Sequence, residues 1–265
     1  MAWVIAKNII KAVVLGALLA IAALIVYWFF FASRWDWIPK YLPLLLRGLW
    51  YTITLLALSC LFGFLLAVPI GLVQVTGPGW LALIAKSFCT VIRGTPLLIQ
   101  VWLLYYGFGS LFPQIGMAWP GFKEHFMWLI RLDGYWYALL AFTLSYAGYE
   151  GEVMRGAFLG VPRGELEAAR AFGMSPAKVA RRVWFPRAVR LVFPTLAGET
   201  VLQLKSTPLA FTIAVMDLMG VTSKIRQDTY LTFEPLMLLA VLYMGLTFIL
   251  ILIFNRLERS IPTRR

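Results

Sequence analysis

The chain has 265 residues, 61% hydrophobic and only 14% charged, with a mean hydropathy of +0.81. A soluble domain carries about 45–50% and about 25%, so a water-soluble fold is excluded and an integral membrane protein is implied. The 24 basic and 12 acidic residues leave a net charge of +12. In an apolar chain this excess reads as the positive-inside bias of cytoplasmic loops, not as a nucleic-acid surface. Cys60 and Cys89 both lie in apolar surroundings and imply no disulfide framework. The single histidine, His125, cannot build a His-based metal site.

Charge-free stretches place the spans, because crossing the hydrocarbon core takes about 20 apolar residues. The first predicted helix covers about 12–32, between Lys11 and Arg34. It resembles a signal peptide in having Lys7 and Lys11 before an apolar run. The run is long for one and no small-x-small site precedes Arg34, so a retained helix is expected. A second helix is predicted at 48–73, ending before Gly77-Pro78-Gly79. The third follows Lys86, carries Arg93 near its start, bends at Thr95-Pro96 and runs to Phe112. Residues 113–133 read as a loop with room for a short surface helix, and the fourth helix runs from Tyr135 to Val153.

Met154 to Val192 is the most charged segment, with eight basic and two acidic residues. The fifth helix is predicted at 192–216 and the sixth from Pro235 to Phe254, separated by a polar loop from Asp217 to Glu234. A basic tail follows, with Arg256, Arg259, Arg264 and Arg265. Six spans put both termini on one side. Basic residues then divide 16 to 7 between the faces, with Lys205 inside, so the termini and the charged loop are expected in the cytoplasm. Trp35, Trp37, Trp119 and Trp136 fall near predicted interfaces, as aromatic anchors do.

Within the charged segment, residues 161–186 predict two short helices. Glu165 and Glu167 occupy the first turn of one, where the dipole favours anions. Gly173 ends it as the residue that tolerates positive φ. Ser175 and Pro176 start the second, and Pro186 limits it. Leu166, Ala169 and Phe172 recur at near-helical spacing and predict one apolar face. Two readings stand: a helix lying at the lipid boundary, or a knob that fits a partner's groove.

Glu167-Ala168-Ala169, three residues, Gly173, nine residues and Val183-Trp184-Phe185-Pro186 resemble the EAA loop of bacterial ATP-binding-cassette importer permeases, with Val183 and Phe185 in place of Ile and Leu. Val91 to Gln100, Gly148 to Gly156, and Glu199 to Thr207 with Leu209 resemble segments of the polar amino-acid permease subfamily, which serves histidine, glutamine, glutamate, arginine and opines. The resemblance covers about 42–262 and implies an all-α, type I (MetI-like) core of five helices. The first helix is then an extra one, giving an N-terminal helix and linker at 1–40 and a permease domain at 41–265.

The resemblance implies that Glu167, Ala168, Ala169 and Gly173 dock on a separate ATPase. It further implies two such ATPases, a second permease subunit and a periplasmic amino-acid-binding protein in the inner membrane of a bacterium. The chain has no Gly-x-x-x-x-Gly-Lys-[Ser/Thr], so no ATPase activity and no cofactor of its own are expected; ATP and Mg belong to the partner.

Ionisable residues at membrane depth face a cavity or a partner. Glu199 and Lys205 are six residues apart, a poor helical pairing distance. A translocation-path role and pairing with another helix both remain open. In the first, Glu199 attracts a substrate cation, Gln203 shares its face, Ser206 and Thr207 add hydroxyls, and Pro208 frees backbone carbonyls. Arg93 and Arg155 are expected to snorkel toward headgroups or to serve in gating with Thr95, Pro96 and Glu152; Glu152 is spaced to pair with Arg155. The rivals are an ion-gradient-driven transporter, which calls for repeats that the sequence lacks, and a lipid-binding scaffold.

Overall fold

The computed structural model describes residues 2–27 and 34–260. The end of the first predicted helix, at 28–32, and Arg264 and Arg265 lie outside the described residues. Among those described, the regular structure is entirely helical: α1 (Ala2–Tyr27), α2 (Ile38–Thr76), α3 (Gly79–Gly94), α4 (Leu97–Ala118), α5 (Pro120–His125), α6 (Met127–Ile130), α7 (Gly134–Gly160), α8 (Arg163–Ala171), α9 (Pro176–Ile213), α10 (Leu218–Thr229) and α11 (Phe233–Ser260). α2 and α11 are each long and apolar enough to cross a membrane. The bent pairs α3–α4 and α9–α10 raise the number to four if each pair is one span.

The bundle is built on α2 against α7. Ser59, Gly63, Ala67 and Gly71 make a buried stripe of small residues at four-residue spacing on α2. Small stripes let helix backbones approach in a lipid solvent, where no hydrophobic force drives them together. A Cβ at Gly63 would stand 2.8 Å from the Tyr146 Cβ, and one at Gly71 would stand 2.7 Å from the Met154 Cβ. Large apolar side chains such as Trp50, Leu61, Leu65 and Phe248 stay exposed on the outside. That is the surface a bilayer solvates.

Several boundaries differ from the sequence reading. The third predicted helix is two helices at 105°. Pro96 has no N–H, and Thr95 before it is extended at φ −108°, ψ 127°. The Gln100 side chain donates 2.9 Å hydrogen bonds to the Thr95 carbonyl and to the Ile92 carbonyl, whose usual helical donor would be the missing N–H of Pro96. Arg93 is therefore in the last turn of α3, not near the start of a span. α2 begins at Ile38, so it takes in Lys40 and Arg47 before the apolar run. The 113–133 stretch is largely helical, through the end of α4, α5 and α6.

The polar loop after the fifth span contains α10. Asp217 caps it, with Oδ1 accepting from the Gly220 N–H at 2.9 Å. Val221 and Ile225 then pack on Trp37, Tyr41 and Leu45. The α-helical part of α9 ends at Ser206, and a tighter turn over Thr207–Ile213 leads out through Ala214 at φ 63°.

Candidate functional site: a polar layer, a cavity and a projecting helical loop

Two apolar clusters fill the bundle along its length. One contains Leu55, Ala138, Phe142 and Ala210; the other contains Ala67, Met154, Val192 and Leu196. Each helix changes from one cluster to the other over about three turns. The residues between are polar: Ser59 on α2, Tyr146 and Glu150 on α7, Thr200 and Gln203 on α9, all buried. The Gln203 amide donates to Ser59 Oγ at 3.2 Å and to the Phe142 carbonyl at 3.0 Å. The Tyr146 and Thr200 hydroxyls meet at 3.1 Å. Buried polar groups need such partners, and here they tie the three helices at one level.

A cavity of about 180 Å³ opens from this layer. Tyr146, Tyr149, Glu199, Gln203 and Ser206 bring its polar groups, with Leu97 and Leu202 as apolar wall. The predicted path residues thus divide. Glu199, Gln203 and Ser206 come together at the cavity. Lys205 is exposed and outside it. Thr207 is buried and turned to α11, where its hydroxyl meets the Tyr243 hydroxyl at 2.8 Å. Glu199 and Lys205 form no ion pair. Tyr146, Tyr149 and Ser145 were not singled out in the sequence. Their signal was there, as hydroxyl groups clustered on one stretch of an otherwise apolar helix.

Beneath the cavity, Glu152 holds two arginines. Arg155 donates to Glu152 Oε2 through Nε at 3.1 Å and Nη2 at 2.9 Å, the expected pairing. Arg93 Nη1 stands 3.9 Å from the same oxygen and its guanidinium 5.7 Å from the Tyr149 ring centre. Neither arginine is simply extended toward headgroups: the break at Thr95-Pro96 turns the end of α3 back onto α7. Arg93 is also close enough to Glu199 for the two charges to interact.

The loop at 161–186 is a helix–turn–helix. Gly173 has φ +76°, and the Met174 N–H donates to the Ala169 carbonyl at 3.2 Å, closing the end of α8 as a left-handed residue does. The second helix does not stop at Pro186. A π-helical turn over Ala180–Trp184 carries it straight into the span, so it is the beginning of α9. Ser175 sits at the cap position but its side chain makes no capping hydrogen bond.

The predicted apolar face splits as well. Ala169 is buried and Leu166 packs on the lower cluster, whereas Phe172 is 86% exposed. Glu167, Ala168 and Gly173 are exposed. Two contacts anchor the loop. Arg187 Nη2 pairs with Glu165 Oε1 at 3.1 Å, and the Trp184 indole donates to the Phe158 carbonyl at 2.9 Å. The first fixes α8 to the foot of α9 and the second fixes that foot to the end of α7, and these two helices supply the cavity's hydroxyls and carboxyl.

Among the described residues the chain is an all-helical apolar bundle with a polar cavity and a projecting helical loop, an arrangement that fits a membrane transport subunit. The family model for the binding-protein-dependent transport system inner membrane component matches residues 59–262, and the chain belongs to that family. It is 37% identical over 222 residues to the octopine transport system permease protein OccM of Rhizobium radiobacter, covering 83% of this chain and 87% of the relative. It is 34% identical over 212 residues to the histidine/lysine/arginine/ornithine transport system permease protein HisM of Escherichia coli K12, covering 80% and 86%.

Among solved structures, an amino acid ABC transporter with histidines matches at TM-score 0.73 and 29% identity, over 86% of this chain and 99% of that one. The inward-facing MetNI methionine ABC transporter matches at TM-score 0.66 and 19% identity, over 83% and 97% respectively, a likeness of fold alone. The chain is an inner-membrane permease subunit of the ATP-binding-cassette importer class, with the MetI-like fold expected from the sequence. Membership of this class implies an ATPase and a binding protein as working partners in general.

Proposed function

We propose that this subunit forms half of the translocation path of an ATP-driven importer for cationic amino acids or opines, with the cavity at Glu199 as its substrate site. One observation carries the reading: Glu199 places a carboxyl at a cavity whose other polar groups are hydroxyls and one amide. Such a lining offers a single strong ligand for a cation and several neutral hydrogen-bonding groups for the rest of a polar solute. Relatives that carry octopine, or histidine, lysine, arginine and ornithine, support the substrate class.

In this reading six spans place both termini and the 161–186 loop in the cytoplasm. Two ATPase subunits hold ATP and Mg, and this chain contributes no cofactor. A second permease, the same or related, completes the path, and a periplasmic binding protein delivers the solute. The extra helix at 1–40 stands outside the permease domain at 41–265.

Closure of the ATPases moves the loop through Glu167, Ala168 and Gly173. Ala169 keeps α8 against the bundle, so the loop moves as one body with its anchors. Arg187 lies twelve residues before Glu199, about 18 Å of helix. A displacement at the loop is therefore delivered to the cavity along one continuous helix, which carries Pro194 between the two residues. Thr95 and Pro96 give the path a fixed bend on the opposite wall, and Arg93, Glu152 and Arg155 stand between the cavity and the loop as a gate.

The test is uptake by proteoliposomes holding the complete transporter, with arginine, lysine, histidine and glutamine as substrates. Wild-type uptake is expected to favour the cations. Glu199→Gln is expected to reduce that preference about tenfold, the effect of losing roughly 1.4 kcal/mol of charge interaction. Unchanged selectivity would refute the assignment.

A further inference from the structure

The polar layer contains one group that the transport reading leaves idle. Glu150 is 0% exposed, and neither of its carboxyl oxygens has a hydrogen-bond donor among the described residues. The groups near enough to interact electrostatically with it are the Cys60 thiol from α2, the Tyr146 hydroxyl from its own helix and the Glu199 carboxyl from α9, a like charge. An acid at membrane depth without donor or counter-ion is costly, and such groups mark a solute or ion pathway.

The direction of the side chain follows from the helix. Tyr146, Tyr149 and Glu150 are at i, i+3 and i+4, one stripe of α7, and both tyrosines line the cavity. Side chains on a helix lean toward its N-terminus, so the Glu150 carboxyl is aimed back over Tyr146. In this structure the carboxyl is closed off from the cavity and buried one helical turn from Tyr146, which lines it. Glu199 in the cavity wall and Glu150 buried beside Tyr146 are close enough for their charges to interact, and Arg93 is the cation that interacts with Glu199.

We propose that Glu150 is the inner station of a two-carboxylate site that selects substrates with a cation at the end of a long side chain, a guanidinium or a terminal ammonium. Glu199 engages the cation first; Glu150 receives it as the solute moves toward the loop. The inference rests on the cavity being the substrate site, and it assigns the substrate's charged end to a residue the site's open lining does not include.

The experiment compares arginine uptake kinetics of the reconstituted transporter for wild type, Glu199→Gln and Glu150→Gln, with co-purification of the ATPase as an independent check of assembly. Glu150→Gln, close in shape, is expected to raise the arginine KM about tenfold. A merely structural acid would lower the maximal rate together with assembly and leave KM in place, and that result overturns the proposal. If Glu150→Gln does not assemble, Glu150→Asp decides. Drawing the carboxyl back by one methylene is expected to raise the arginine KM several-fold, and an unchanged KM overturns the proposal. Absence of arginine uptake by the wild type, or an unaltered Glu199→Gln, overturns the transport reading instead, so the two failures are distinguishable.

Discussion

Replacing Gly173 with valine is expected to abolish most ATP-driven uptake while leaving the permease in the membrane. The residue has φ +76°, and a Cβ there would meet nothing within 4 Å in this chain. The penalty is therefore conformational. A β-branched residue in the left-handed region costs about 1–3 kcal/mol, enough to turn the end of α8 out of its closed form. The bundle, whose clusters lie elsewhere, should keep its thermal midpoint in detergent. Uptake should fall at least tenfold, with a matching loss of co-purified ATPase. Gly173→Asn discriminates the cause, because asparagine tolerates positive φ. Substantial recovery with asparagine means that the backbone conformation is what the loop requires. Full activity of the valine variant would mean that this turn does not transmit movement.

Glu152→Gln is the second change with a large expected effect. It removes the counter-ion of both Arg93 and Arg155. Both arginines are more than a third exposed, so screening reduces the stability loss to about 1 kcal/mol. Transport should suffer more than stability. Arg93 already interacts with the Glu199 charge; released from Glu152, it is expected to swing toward Glu199 and compete with a cationic solute. Arginine uptake should fall about tenfold, and adding Arg93→Gln should restore most of it. A double variant no better than Glu152→Gln alone would show that Glu152 acts through Arg155 or through packing. The comparison is a mutant cycle, which isolates the coupling between two residues from their separate effects.

The fold was legible wherever a local rule decided it. Charge-free length located the long apolar helices α2 and α11, and Gly173 was readable because a left-handed helix end has a single preferred residue. Glu152 and Arg155 were readable because they are three apart on one helix. What escaped depends on contacts between distant segments. α10 carries a polar sequence and looked like a loop, but Val221 and Ile225 bury against Trp37 and Tyr41, which no local window includes.

The 105° turn at Thr95-Pro96 was visible as a bend but not as a break. Its carbonyls are satisfied by Gln100, a residue with no sequence signal for that task. Lys205 and Thr207 looked like path residues from depth alone. Lys205 lies on the exposed face of the regular helix, and the tighter turn that begins at Thr207 directs that residue to Tyr243. Phe172 was assigned inward by spacing with Leu166 and Ala169. α8 ends at Ala171, so helical spacing no longer applies one residue later.

That exposed phenylalanine provides the most direct measurement of the central claim, that the 161–186 loop is held by an ATPase. Phe172→Cys, made with Cys60→Ser and Cys89→Ser, places one thiol at the tip of the loop. In membranes containing the transporter assembled with an ATPase that carries a cysteine on its docking face, a short bifunctional maleimide is expected to join the two thiols, and a membrane-impermeant maleimide added to intact cells should leave the loop thiol unlabelled. Labelling from outside the cell, with no link to the ATPase, would contradict the account.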